Sequence, residues 1–194
     1  MKKTVQFIIS IIAVIGITGC AHAPGLGSDG SSKPAGAEYA EAGYYSSKWF
    51  DSLKGDVMVW DEVREITLDE FPGVTFRWHP EKLEAVTDNE IVSLYTGMPI
   101  WSVYFCDLTG DGKPELCSTI SIGSGIIDNR IIVYDYAERV SYELSDRMNY
   151  DYVLNMQEGK LIVEKRKYMR EELISTGELV LMDGTIQMQS ENFD

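Results

Sequence analysis

The chain reads as an all-β domain, an antiparallel meander of hairpins. Short β-branched or aromatic runs recur along it, and turn signals of Gly, Asn, Asp and Pro separate them at short intervals. No heptad pattern and no helical run longer than three turns interrupts this series.

Taken in order, a short helix opens the domain. Ser46 or Ser47 caps it, Trp49 and Leu53 share one face, and Gly55 ends it. Strands follow at Val57–Trp60, Glu65–Leu68 and Val74–Trp78, with Phe71-Pro72-Gly73 punctuating the last two. Lys82–Val86 and Ile91–Tyr95 form a hairpin around Asp88-Asn89. Met98-Pro99 breaks the chain before the alternating run Trp101–Cys106. Later hairpins pair Arg130–Tyr136 with Val140–Leu144, Tyr152–Met156 with Lys160–Glu164, and Leu179–Met182 with Thr185–Met188. Such a meander closes as a sandwich, a barrel or a propeller-like stack.

The 194-residue chain divides into three parts. Residues 1–19 have the form of a signal peptide: Lys2 and Lys3, then an apolar run from Phe7 to Ile17 that is too short to span a bilayer. Ile17-Thr18-Gly19-Cys20 resembles the lipobox of bacterial lipoproteins, in which the cysteine thiol receives diacylglycerol and a peptidase cuts just before it. That resemblance implies a lipid on Cys20 and attachment to the extracytoplasmic face of a membrane. Residues 20–47, rich in Gly, Ser, Pro and Ala, read as a flexible tether, with His22 in it. Residues 48–194 form one β-rich domain.

Charge narrows the function classes. The formal net charge is −14, and loss of residues 1–19 removes two lysines and no acid, leaving −16. A surface this acidic argues against nucleic acid as a partner and against electrostatic docking on anionic headgroups.

The segment Asp107-Leu-Thr-Gly-Asp111-Gly112-Lys-Pro-Glu115 has the spacing of a calcium loop. Oxygen ligands stand at positions 1, 3 and 5 (Asp107, Thr109, Asp111), glycine at 6, the Lys113 carbonyl at 7 and an acid, Glu115, at 9. A hard cation that prefers six to eight oxygens needs such a wrapped chain. The alternative is a turn whose Asp107 and Asp111 side chains accept backbone amides. The loop resembles the D-x-N-G-D-G-x-x-D-L segments of FG-GAP and VCBS-type repeats. It departs from them in Thr109 and Glu115, which implies weaker binding.

Alternation sets Trp101, Val103 and Phe105 on one face, together with Leu116, Ile120 and Ile122 of the next strand. Ser102, Tyr104, Cys106, Cys117, Thr119 and Ser121 fall on the opposite, more polar face. Cys106 and Cys117 thereby approach each other at the base of the loop, as a disulfide or as two half-buried thiols.

Other segments carry weaker signals. Gly123-Ser124-Gly125 lacks the lysine and helix of a phosphate loop and reads as a turn. The polar-aromatic segment from Asp146 to Tyr152 reads as a surface turn. His79 precedes Pro80 without a second metal-binding histidine, and no G-x-S-x-G elbow is present. Nothing therefore selects an enzyme, although an undetected hydrolase stays open among 31 acids.

Phe71–Trp78 (FPGVTFRW) and Gly97–Tyr136, continuing to SDRMNYDYVL, resemble the extracytoplasmic β domain at the C-terminus of Gram-positive membrane metallopeptidases of the beta-lactam-sensor type. The resemblance implies a sensory or accessory role without peptidase activity, since the helical membrane segments and zinc motif are absent. Two non-enzymatic expectations follow. One is a lipid-anchored module that binds a small ligand, a wall fragment or a protein through a calcium-stabilised β fold. The other is an accessory or inhibitory subunit of a membrane sensor peptidase.

Overall fold

A computed structural model describes residues 47–51 and 59–190. Residues 1–46, with Cys20 and His22, lie outside the described residues. Everything regular in the described part is strand. These are β1 (Ser47–Asp51), β2 (Arg64–Thr67), β3 (Thr75–His79), β4 (Lys82–Val86), β5 (Ile91–Thr96), β6 (Ile100–Cys106), β7 (Glu115–Ile122), β8 (Asp128–Asp135), β9 (Val140–Leu144), β10 (Tyr150–Gln157), β11 (Lys160–Lys167), β12 (Leu173–Met182) and β13 (Thr185–Gln189).

The strands form three antiparallel meanders in chain order: β2-β3-β4-β5, then β6-β7-β8-β9, then β10-β11-β12-β13, with β1 added beside β6. The four hairpins expected around Asp88-Asn89, 137–139, 158–159 and 183–184 are all present. Each turn contains a residue with positive φ or a local side-chain cap. Arg139, Glu158, Gly159, Asp183 and Gly184 occupy the left-handed region, while the Thr87 hydroxyl accepts the Glu90 amide.

The first and last sheets each pack against the middle one. One core lies between the first and middle sheets, with Phe76, Trp78 and Leu83 against Val103, Phe105, Leu116 and Ile120. A second lies between the middle and last sheets, where Tyr104, Ile131 and Val133 meet Leu154, Leu161, Val163 and Leu179. Side chains such as Trp78, Phe76 and Leu154 are fully buried, each worth roughly 1.5–3 kcal/mol by transfer from water.

Four expectations change. Ser47–Asp51 of the expected helix is strand; residues 52–55 of it lie outside the described residues. Pairing with β6 satisfies that backbone, and a bulge between Lys48 and Phe50 lets the adjacent Trp49 and Phe50 both reach the first core. Of the strand expected at Val57–Trp60, residues 57–58 are outside the described set and Val59 and Trp60 are not strand but enter a turn closed by the Glu62 amide on the Val59 carbonyl.

The third change is in β6, where the register shifts between Ile100 and Ser102. Trp101 is the extra residue of that bulge and leaves the face of Val103 and Phe105; Ile100 takes its place in the core. The fourth concerns the supposedly polar face. Ser102, Thr119 and Ser121 are buried, because the third sheet covers them. Alternation within one hairpin records the pleat but not how many sheets stack on it.

Candidate metal site

The β6–β7 hairpin ends its ladder at Cys106 opposite Glu115, which leaves residues 107–114 as the connection. Gly110 and Gly112 carry φ values of 76° and 83°, so the chain curls back over its first residue. The Asp107 carboxylate sits inside that curl. Its Oδ1 accepts the Gly110 amide at 2.7 Å and its Oδ2 the Gly112 amide at 2.9 Å. Asp111 Oδ1 accepts the Lys113 amide at 2.8 Å.

Glu115 closes the loop from the strand side. Its Oε2 accepts the Leu108 amide at 2.6 Å, and its Oε1 accepts the Thr109 hydroxyl at 2.9 Å. One carboxylate oxygen from each of Asp107, Asp111 and Glu115 lies within 4.8 Å of the others. Asp107 and Glu115 are buried, whereas Asp111 is exposed.

The loop has the amide-capped geometry of the turn reading, and its three carboxylates also stand close together. An oxygen that accepts one amide keeps a second lone pair, so the caps orient the carboxylates without using them up. The donor set is all hard oxygen, which fits calcium better than a thiolate- or imidazole-seeking metal. Thr109 joins the cluster through Glu115, and Lys113 contributes its amide to Asp111.

Electrostatics concentrate on the same hairpin. Burial pushes the Glu115 carboxyl above its usual range; the Leu108 amide and Thr109 hydroxyl oppose this, and the negative Asp135 and Asp107 add to it. Burial likewise pushes the Cys106 thiol up to about 12, with Glu115, Asp107 and Glu178 contributing. Cys117 is also raised, first by burial.

The disulfide alternative is not formed here: Cys106 and Cys117 are buried free thiols. In the ladder Cys106 stands opposite Glu115 and Cys117 opposite Tyr104. The two are diagonal neighbours, a spacing less suited to a bridge than a directly opposed pair.

Several polar contacts were invisible in the sequence. Trp101 Nε1 donates to Ser121 Oγ at 2.6 Å, and Ser121 in turn bonds Asn129 Oδ1. The Asn129 amide donates to Asp151, whose other oxygen accepts the Met169 amide. Asp128, fully buried, holds Arg130 through both carboxylate oxygens at 2.8 Å. Asp151 belongs to the segment read as a surface turn, and it bridges two sheets instead. The one available signal was the run of hydroxyls Ser118, Thr119 and Ser121 inside an otherwise apolar strand. His79 ends β3, with Nε2 3.6 Å from Glu84.

The fold and loop together define an all-β domain of three stacked meanders whose central hairpin carries an acidic, amide-capped loop. No protein-family model, curated protein or solved structure matches the chain.

Proposed function

We propose that this chain is a lipid-anchored, extracytoplasmic binding or sensing module, non-enzymatic, whose β6–β7 loop is stabilised by calcium. The observation that carries the calcium reading is the convergence of the Asp107, Asp111 and Glu115 oxygens within 4.8 Å. Folding brings three carboxylates together, two of them buried, and a divalent cation turns that repulsion into coordination. The anchor rests on the lipobox-like Ile17–Cys20, and the sensory role on the resemblance to the sensor-peptidase β domain. The partner is a wall fragment, a small ligand or a protein.

Calorimetric melting of the chain from residue 21 onward tests the loop. A cation at a hundredfold excess over its Kd stabilises by about 2.7 kcal/mol, a rise of roughly 5–10 °C for a domain of this size. Millimolar calcium should produce that rise over chelator, and Asp111→Ala should abolish it. Equal melting in calcium and chelator refutes the calcium reading.

A further inference from the structure

We propose that the end of the stack opposite the acidic loop docks on the membrane interface, a contact made by the domain itself in addition to the lipid on Cys20. This rests on the lipid-anchored reading above. The antiparallel register sorts the connections into two ends. One end carries the loop at 107–114 with the other turns that follow even-numbered strands. The second end carries the entry to β2 and the connections β3–β4, β5–β6, β7–β8, β9–β10 and β11–β12. Backbone contacts tie these into one surface. The Ile100 amide donates to the Pro80 carbonyl at 2.7 Å, and the Tyr168 amide to the Asn149 carbonyl at 3.1 Å. Asp151 joins Asn129 to Met169 across the same end.

Exposed apolar side chains collect there. Among the described residues fourteen large apolar side chains are exposed, and ten of them lie at this end. Met98 projects from the β5–β6 connection, and Ile126 and Ile127 from β7–β8. Met148 stands in β9–β10 and Met169, 80% exposed, in β11–β12. Leu173 and Ile174 open β12, while Val59, Trp60 and Val63 lead into β2. Apolar tips from separate loops at one end make a surface for shallow insertion rather than a groove for one peptide.

Charge selects the occupant. At the loop end, residues 67–75, 86–91, 106–115, 135–140, 157–160 and 182–185 hold eleven acids and three bases. At the apolar end, residues 59–64, 79–82, 96–100, 122–130, 144–151 and 166–174 hold eight acids and seven bases. An anionic bilayer repels the first end and tolerates the second, so the acidity of the whole chain orients the domain instead of preventing contact. Reach is sufficient. Ser47 pairs with Phe105, so the chain enters at the loop end. The roughly 27 residues back to Cys20 extend to about 90 Å, against about 27 Å for an eight-residue strand.

The test uses residues 21–194, which keep both cores and carry no lipid, so the result is independent of whether Cys20 is acylated. Sedimentation with phosphatidylcholine vesicles, and with vesicles containing phosphatidylglycerol, should pull the protein down with weak salt dependence, because apolar insertion leads. Ile127→Ser, Met148→Ser and Met169→Ser combined should weaken binding at least about tenfold without changing the melting temperature. Met169→Ser alone, at the most exposed position, should give a smaller loss. Protein that stays in the supernatant with both vesicles, or variants that bind as the parent does, overturns the proposal. A parent dimer that the triple variant converts to monomer identifies a second copy as the occupant and also overturns it.

Discussion

The hydroxyl of Thr119, in the middle sheet, accepts the backbone amide of Leu154, in the third sheet, at 2.8 Å. β10 is an edge strand, so the outward amide of Leu154 has no ladder partner and is satisfied by a side chain instead. The preceding residue does the matching work on the other face, where Ser118 Oγ bonds the Tyr95 hydroxyl of β5 at 2.5 Å. Two consecutive hydroxyls in β7 thus tie both outer sheets to the middle one.

Thr119→Val keeps the shape and removes the acceptor. The buried amide is then left unpaired, and unfolding in urea should show a loss of about 1–3 kcal/mol. Thr119→Ser should recover most of it. A Thr119→Val protein as stable as the parent would show that the amide has another partner.

Cys106 and Cys117 should resist modification in the native state. Burial excludes reagent, and a thiol raised to about 12 is ionised at roughly one part in ten thousand at pH 8. In the chain from residue 21 onward, both should react with a disulfide reagent only after denaturant is added. Reaction before unfolding contradicts the buried placement. Absence of any thiol in denaturant would mean that the pair is oxidised.

Gly123→Ala should be among the most damaging single-methyl additions. A Cβ there meets the Ile126 carbonyl oxygen at 1.9 Å, and φ is 141°. Backbone strain and the clash add to a loss of at least about 2 kcal/mol. Gly125→Ala is the control, with φ 147° and open space around its Cβ, so it bears the strain alone. Equal losses in the two variants would refute the clash.

In chelator, Glu115 should make stability fall as pH rises. Its carboxyl titrates higher in the folded chain than in the unfolded one, so the folded state holds the proton longer. The penalty is absent below the unfolded value, near pH 4, and grows until the raised folded value is passed. Glu115→Gln should flatten this part of the melting-temperature profile, since its amide can donate to Thr109 Oγ1 while its carbonyl accepts Leu108. A profile with the same slope in both proteins assigns the pH dependence elsewhere.

Cys20→Ser should abolish incorporation of labelled fatty acid and release the protein from the membrane fraction or leave its signal uncut. Label that persists in the variant places the lipid on another residue.

Period and punctuation in the sequence were enough for β2 to β11, for β13 and for the Leu179–Met182 end of β12, because alternation and turn chemistry act over a few neighbouring residues. β12 begins six residues earlier, at Leu173, where the run carries no such alternation. The acidic loop was legible for the same reason: Asp107, Asp111 and Glu115 fall within nine residues, and two glycines dictate the curl that gathers them. Tertiary structure alone decided what lies against each face. Ser102, Thr119 and Ser121 carry the pattern of a solvated surface, yet the third sheet, which begins only at Tyr150, buries them. Trp101 fits the core by parity, but a single bulge exchanges it for Ile100. The apolar end is the same kind of fact. Met98, Ile127, Met148 and Met169 are isolated in four separate loops, and only the antiparallel stacking of three sheets brings those loops to one surface.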